Sequence, residues 1–368
     1  MVRFLRTVGS VCLVIMLVIV AACGGNAPAS QTGTSSSSNT GSSSSGSTSA
    51  SQPQQTTKAE KAEEKIVIKF PFVTSMASEK GKAAEILKQL AEERTNGRVV
   101  VELYPSGQLM NDEQSLEQLP RNTIQLIAIS LTKLVSYDPR FQIVDLPFLF
   151  DSEEAVLRFW DGEAGQMLGS SLEKANLKFL GVWTNGFKHF ASNKKLLRTP
   201  EDFKGLKFRT QAGKVLEQQF NLLGAGSVTL PFSEVYTALQ QGTIDGIENT
   251  FVDIYGQNFF EVAKYLTLSS HGRLDYGLVT NQTFWNELPD DIRSTLEEVF
   301  AEVTAKEREI ARGLGNQYFE EMKDKFAEIY EPTPADIELF KQAMQPLYDD
   351  FKKEHGEDIV NLALKANQ

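Results

Sequence analysis

Short apolar segments alternate with amphipathic segments from Ile66 onward, and this alternation restricts the fold more than any other feature of the sequence. The helical segment after the first strand has Ser78 as its predicted N-cap and Gly97 just past its end. The alternation predicts an α/β fold that has a mixed or parallel sheet with helices on both faces. The strand-like segments are IVIKFPFV, RVVVELYP, IQLIAIS, NLKFLGVW and GLKFRTQ.

The last part of the chain is predicted to be helical almost to Gln368, with a break near Pro332 and Pro334. Its first helix has an apolar face formed by Ile292, Leu296, Val299, Phe300 and Val303. Ligands of α/β sheets bind beyond the carboxyl ends of strands. Ser130 and Arg209 both lie at such ends, so they are the first candidates for a binding site.

The first residues resemble a secretory signal. Arg3 and Arg6 precede an apolar run from residue 8 to residue 20, and small residues lead to Cys23. We expect residues 1–22 to be a lipoprotein signal peptide and Cys23 to be the lipidated mature N-terminus. A plain membrane span is less favoured, because the apolar run is shorter than the roughly 20 residues that cross a bilayer.

Residues 23–65 are expected to form a disordered, lipid-anchored tether, because most of this segment is Ser, Gly, Thr and Gln with no apolar run. The globular domain is then predicted over residues 66–368. Without Arg3 and Arg6 the 37 basic residues fall to 35 against 48 acidic residues, a net charge of −13. That charge argues against a nucleic-acid partner.

Motifs for catalysis or for a cofactor are missing from the sequence. It has no G-x-G-x-x-G, P-loop, G-x-S-x-G or H-E-x-x-H motif. Its three histidines, His189, His271 and His355, are far apart, and Cys12 leaves with the signal peptide. We therefore predict no metal, no cofactor and no enzymatic turnover, but binding alone.

Two cations follow apolar strand segments and could hold an anionic ligand. An arginine fork such as Arg209 makes two parallel charge-assisted hydrogen bonds to a carboxylate, and Lys188 supplies a point charge. The alternative is that each side chain is a solvated charge at the end of a strand.

Several blocks in the same order resemble the solute-binding subunit of tripartite ATP-independent periplasmic (TRAP) transporters. The similarity runs from about Ile66 to beyond Leu288. The blocks are YPSGQL, VDLPFLFDSEEA, WTNGFKHF, TPEDFKGLKFRTQAGKVLEQQFNLLGA, PFSEVYTALQQGTIDGIENTFVDIY and FFEVAKYLTLSSHGRLDYGLVTNQTFW.

This resemblance implies a two-lobe periplasmic-binding-protein-like fold that closes over a small organic acid, with a helical C-terminal part. It implies that lobe I comprises residues 66–185 and 272–310, and lobe II residues 186–271 and 311–368. Arg209 would clamp a carboxylate, Lys188 and Asn249 would line the site, and Lys80 would hold the far carboxylate. The NGFK and FRTQ blocks resemble the branch that binds C4-dicarboxylates such as malate, succinate and fumarate.

Three positions depart from that branch. Thr210 replaces an isoleucine, Asp253 replaces an asparagine, and Gly213 replaces a residue that is often serine. An acidic group beside an anion site is costly unless it points away. A sugar acid or a 2-oxo acid therefore stays open as the ligand.

Other residues have both a functional and a structural interpretation. Ser130 could donate its hydroxyl to a ligand or cap a strand, and Lys80 could be a solvated first-turn lysine. Phe232 and Tyr276 could line the cleft or pack in the core. His271 is expected to be a hydrogen-bonded hinge or core residue, and Trp183 is expected to be buried.

The resulting prediction is a monomeric, extracytoplasmic lipoprotein that binds a small carboxylate and delivers it to the membrane permease of a TRAP transporter. The host envelope decides whether its location is periplasmic. Two alternatives stay open: a co-sensor that presents its ligand to a membrane histidine kinase, and a surface hydrolase of anionic substrates.

Overall fold

A computed structural model describes residues 65–368. The predicted signal peptide, the lipidated Cys23 and all of the tether except Lys65 lie outside the described residues. Among the described residues, no helix combines the length and the apolar character that crossing a membrane requires.

The strands form a small parallel pair and a seven-stranded mixed sheet, which has the order β3-β8-β4-β7-β5-β6 with β9 against β8. β1 and β2 form the parallel pair. The strands are β1 (Ile66–Pro71), β2 (Val99–Tyr104), β3 (Leu126–Ser130), β4 (Leu177–Ser192), β5 (Lys207–Thr210), β6 (Gly226–Thr229), β7 (Gly246–Asn249), β8 (Tyr265–Asn281) and β9 (Glu328–Tyr330).

Helices surround these strands. The first helix begins after Ser78, whose side chain accepts a hydrogen bond from the backbone N–H of Gly81, so the predicted N-cap is confirmed. The helices are α1 (Glu79–Arg94), α2 (Asp112–Gln118), α3 (Glu153–Asp161), α4 (Glu163–Ser171), α5 (Lys214–Leu222), α6 (Val235–Gln241), α7 (Phe251–Gly256), α8 (Gln282–Glu287), α9 (Asp290–Met322), α10 (Pro334–His355) and α11 (Asp358–Ala366).

Two long antiparallel strands, β4 with 16 residues and β8 with 17, form a ribbon through the large sheet. β3 pairs with the last part of β8, and β7 pairs with the last part of β4. Since β4 and β8 are antiparallel, β3 and β7 lie towards opposite ends of the ribbon. The ribbon therefore connects two regions of the sheet.

The long helix α9 packs against α1, β4 and α7. The predicted apolar face of α9 is confirmed, because all five of its residues are buried in one core cluster with Phe70 and Trp183. The stripe of buried positions continues to Glu307, which is also fully buried. Trp183 donates its indole N–H to Thr304 Oγ1 at 3.1 Å, so its predicted burial is confirmed as well.

The predicted α/β fold class is confirmed, but individual strands differ from the prediction. NLKFLGVW was expected to end near Trp183, whereas β4 continues to Ser192. The break in the C-terminal helices contains the short strand β9 beside β8. The residue ranges of the two lobes stay a prediction. One large core cluster contains residues of both ranges, for example Ile127 of lobe I and Phe208 of lobe II.

Candidate functional site

The carboxyl ends of two strands, β3 and β7, lie beside the middle of the β4–β8 ribbon. β3 ends at Ser130, which lies opposite Tyr276 of β8. β7 ends at Asn249, which lies opposite His189 of β4. Because β3 and β7 run towards each other along the ribbon, their carboxyl ends flank the segment between Trp183 and His189. A site at this place receives side chains from both ends of the sheet.

Arg209 lies near the end of β5 and is only 3% exposed. Its Nε and Nη2 donate to the carbonyl oxygen of Leu230 at 3.1 and 3.0 Å. Within residues 65–368 it forms no ion pair. Burial lowers the pKa of Arg209 to about 10, against the influence of Asp112 and Asp253. The guanidinium stays charged at neutral pH with donors to spare, so the alternative of a solvated strand-end charge is wrong.

Lys80 lies in the first turn of α1 and is 1% exposed. Its Nζ lies 3.3 Å from the centroid of the Tyr276 ring. Burial lowers the pKa of Lys80, while Asp112 and Glu79 act to raise it. Lys80 forms no ion pair with any residue from 65 to 368. The alternative of a solvated first-turn lysine is therefore wrong.

Ser130, Asn249 and Phe232 lie around these cations. The Ser130 hydroxyl is buried and has no hydrogen-bond partner among the described residues. Asn249 Oδ1 accepts from the N–H of Thr250 at 2.9 Å, so part of its amide caps the turn. The Arg209 Cζ lies 5.9 Å from the centroid of the Phe232 ring, and that ring also packs on Phe259 in the core. Both predicted roles of Phe232, lining the cleft and packing in the core, therefore stay possible.

Lys188 is held differently from the other two cations. It is buried, its ammonium pairs with Glu248, and it lies 3.4 Å from Asp145 Oδ1. Burial alone would lower the pKa of Lys188, but Glu248 and Asp145 raise it. The alternative of a solvated charge is wrong for Lys188. The expectation that its charge is free to hold a ligand needs correction, because two carboxylates already neutralise it.

The same network contains His271. Its Nε2 donates to Glu248 Oε2 at 2.8 Å, and its Nδ1 accepts from Ser269 Oγ at 2.7 Å. Burial lowers the pKa of His271, and Gln219 Nε2 also donates to Glu248 at 2.7 Å. His271 is thus a hydrogen-bonded core residue, as predicted.

A second buried polar cluster connects several elements. The Asn185 Nδ2 lies 3.0 Å from Glu79 Oε1, 3.4 Å from Asp253 Oδ1 and 2.6 Å from the Tyr276 hydroxyl. Burial raises the pKa of Asp253 to about 6, against the opposing influence of Lys80 and Arg209. Because both cations act on this one carboxyl, Lys80 and Arg209 both lie near Asp253.

Sequence reasoning missed three members of this region. Glu79 and Asn185 carried no signal beyond the blocks to which they belong. Glu307 did carry a signal, since it follows Val303 by four residues on the apolar face of α9. Its Oε2 accepts from the backbone N–H of Thr184 at 2.9 Å.

A cavity of about 280 Å³ is lined by Asn185, Phe187, His189, Arg273 and residues 311–316 of α9. Side chains alternate along a strand, so Phe187 and His189 point away from Lys188. The Arg273 guanidinium stacks on the Phe187 ring, with its Cζ 4.6 Å from the ring centroid. Lys80, Ser130 and Arg209 are not among the residues that line this cavity, whereas Asn185 is.

The family model for bacterial extracellular solute-binding proteins, family 7 (DctP), matches residues 71–354. The chain belongs to this family. The predicted TRAP-type solute-binding protein and its two-lobe α/β fold are thereby confirmed.

Known DctP-family proteins are similar to the chain over most of its length. The C4-dicarboxylate-binding periplasmic protein DctP of Rhodobacter capsulatus is 40% identical over 305 residues, which is 82% of this chain and 91% of that protein. A TRAP periplasmic solute-binding protein from Shewanella oneidensis with bound succinate has a TM-score of 0.81 and 40% identity, covering 83% of this chain and all of that one. A TRAP periplasmic solute-binding protein from Pseudomonas aeruginosa with bound L-malate has a TM-score of 0.75 and 38% identity. The match covers 77% of this chain and 99% of that one.

Proposed function

We propose that this protein captures a C4-dicarboxylate outside the cytoplasm and delivers it to a TRAP permease. The observation that carries the proposal is a pair of buried cations, Arg209 and Lys80, that both lie near Asp253 and form no ion pair within residues 65–368. The names and bound ligands of the similar proteins supply the ligand class.

The two cations suit the two ends of a short dicarboxylate. The Arg209 guanidinium, fixed by Leu230, presents its remaining N–H donors to one carboxylate. Lys80 provides the charge for the other carboxylate, and the partnerless Ser130 hydroxyl is a further donor. Unit charges about 4 Å apart attract by about 4 kcal/mol at an effective dielectric near 20, before desolvation. Such contacts are sufficient for micromolar binding, about −8 kcal/mol.

Asn249 and Tyr276 complete the proposed site. Asn249 Oδ1 is committed to Thr250, which leaves its amide N–H groups for Asp253 or a ligand oxygen. Tyr276 supports the Lys80 ammonium through its ring. Phe232 closes the apolar side beside Arg209.

Lys188 has a positioning role in this proposal. Its ammonium joins Glu248 of β7 to Asp145, which precedes the chain segment leading to α3. The pairing holds the end of β7, and thus Asn249, against the ribbon.

Binding is coupled to closure of the two lobes. Lys80 and Ser130 belong to the predicted lobe I, whereas Arg209 and Asn249 belong to the predicted lobe II. A ligand held by both sets has more contacts in the closed state than in the open state. It therefore shifts the equilibrium towards closure, which needs no chemical step and no turnover.

The location follows from the N-terminal sequence and the extracellular family. We infer that residues 1–22 are removed and that Cys23 carries a lipid that holds a monomeric domain at the outer face of the cell membrane. Replacing Cys23 by Ser should release the protein from the membrane fraction of cells. A protein that stays membrane-bound would contradict the anchor.

The ligand is tested by thermal shift across organic acids, followed by calorimetry. We expect succinate, malate or fumarate to raise the melting temperature and to bind one to one, with no product after prolonged incubation. Sugar acids and 2-oxo acids belong in the same panel, because Thr210 and Asp253 depart from the dicarboxylate branch. Stabilisation by one of those acids alone would overturn the C4-dicarboxylate assignment.

Delivery to a permease is tested by uptake. Cells that carry the permease and this protein should accumulate labelled dicarboxylate, and cells without the protein should not. Equal accumulation in both would contradict a transport role.

A further inference from the structure

Two buried carboxyls, Glu79 and Asp253, lie beside the cations assigned to the ligand. Glu79 Oε1 and Asp253 Oδ1 both lie within 3.4 Å of the single Asn185 Nδ2 atom. Within residues 65–368 neither carboxyl forms an ion pair. Two carboxyls so close together in a buried site do not ionise independently.

The hydrogen bonds around Asn185 indicate where a proton is needed. Its Nδ2 carries two hydrogens but has three oxygen neighbours, the third being the Tyr276 hydroxyl at 2.6 Å. Asn185 Oδ1 and Glu79 Oε2 are buried with no partner among the described residues. If the amide is turned so that Oδ1 faces the cluster, Tyr276 donates to it. A carboxyl can then contact Oδ1 only by donating a hydrogen of its own.

The groups that act on Asp253 come from every side of the cluster. Burial raises the pKa of Glu79 to about 8, and Asp253 adds to this effect. The pKa of Asp253 is raised less, to about 6, so Glu79 is the first of the two carboxyls to take up a proton as the pH falls. The titratable groups at Asp253 and at its two neighbouring cations are Glu79 and Lys80 of α1, Asp112 and Glu113 of α2, Arg209 of β5, Glu248 of β7, Tyr276 of β8 and Glu307 of α9.

A bound dianion changes the charge balance at Asp253. Lys80 and Arg209 favour its ionised form in the absence of ligand. A dicarboxylate between them neutralises both cations and adds negative charge next to Asp253. The ionised carboxylate would then be buried among like charges, whereas a protonated carboxyl is neutral and can donate a hydrogen bond.

We propose that this site binds a dicarboxylate together with one proton, and that the proton resides on the Asp253 carboxyl. The proposal rests on the proposed function and explains why an acid is compatible with an anion site. The proton comes from the solvent, and it returns there when the ligand leaves.

Calorimetry with succinate tests the proposal. The titration is run at pH 7 in phosphate and in Tris, whose different ionisation enthalpies reveal proton exchange. We expect uptake of about half to one proton per succinate. Because binding raises the pKa of Asp253, the affinity for the succinate dianion falls as the pH rises. Between pH 6.5 and pH 8 the affinity should fall by up to about tenfold per pH unit.

Two variants identify the group that is protonated. Asp253→Asn should abolish the uptake and flatten the pH dependence. Glu79→Gln should keep the uptake, because Glu79 already holds its proton before the ligand binds. Thermal unfolding checks that both variants are folded.

Three outcomes overturn the proposal. The first is zero uptake by the unmodified protein, which needs no variant. The second is full uptake by folded Asp253→Asn, which places the proton on the ligand or another group. The third is the absence of any dicarboxylate binding between pH 6.5 and pH 8, which refutes the proposed function as well.

Discussion

Lys80 and Lys188 differ in their partners, although sequence reasoning assigned both to the ligand. Lys80 contacts an aromatic ring and no carboxylate within residues 65–368, whereas Lys188 contacts two carboxylates. The partners of Lys188 are 43 and 60 residues away in the chain. Such distant pairing leaves no local pattern in the sequence, so the two lysines could not be separated before the fold was known.

Replacing Lys188 by Met should mainly lower the stability of the fold. Glu248 and Asp145 would stay buried without their cation, which costs about 3–5 kcal/mol of unfolding free energy. Denaturant unfolding measures this cost.

The control is Lys204→Met, at an exposed lysine paired with Glu201, where the loss should be below about 1 kcal/mol. If Lys188→Met kept the stability of the unmodified protein and lost only ligand affinity, the positioning role of Lys188 would be wrong.

Helices and short strands were predicted better than the long ribbon. Ser78 and the apolar face of α9 gave clear local signals. The middle of β4 contains Thr184, Asn185 and Gly186, which are typical of a turn, with a register shift in the pairing. Pairing with β7 and β8 overrides these weak preferences, so the extension of β4 could not be predicted.

The β4–β8 ribbon leaves little room above Gly272. A Cβ atom at this position would lie 2.6 Å from Lys188 Cε. Gly272→Ala should therefore displace the Lys188 ammonium from its carboxylates and lower the unfolding free energy by about 1–3 kcal/mol.

The matched control is Gly313→Ala in the middle of α9, where a Cβ meets no atom within 4 Å. This change should raise the unfolding free energy by about 0.8–1 kcal/mol through helix propensity. Both values come from denaturant unfolding. A stable Gly272→Ala variant would show that the ribbon can shift without cost.

At the scale of the whole molecule, alternation of strands and helices predicted the fold class but not the strand order. In the sheet β8 lies between β3 and β4, although more than a hundred residues separate β3 from β8 in the chain. Sequence similarity supplied the two-lobe fold that periodicity alone could not. The same holds for the site. Arg209 and Ser130 were predicted from their positions at strand ends, whereas the cluster of Glu79, Asn185 and Asp253 was not predicted.

The central claim is that Arg209 holds a carboxylate that Lys80 and Ser130 bind from the other lobe. If so, the contribution of Arg209 depends on the closed molecule, where water is excluded and its charge is buried. A surface arginine makes no such contribution. Arg198, which is half exposed and pairs with Glu328 at 3.0 Å, is the matched control.

The most direct test is calorimetric titration of succinate into the unmodified protein, Arg209→Ala and Arg198→Ala, each checked for cooperative unfolding. The account predicts that Arg209→Ala loses at least about 2 kcal/mol of binding free energy, because the buried ligand charge loses its partner. It predicts that Arg198→Ala binds as the unmodified protein does. Equal affinity of all three proteins for succinate would contradict the account.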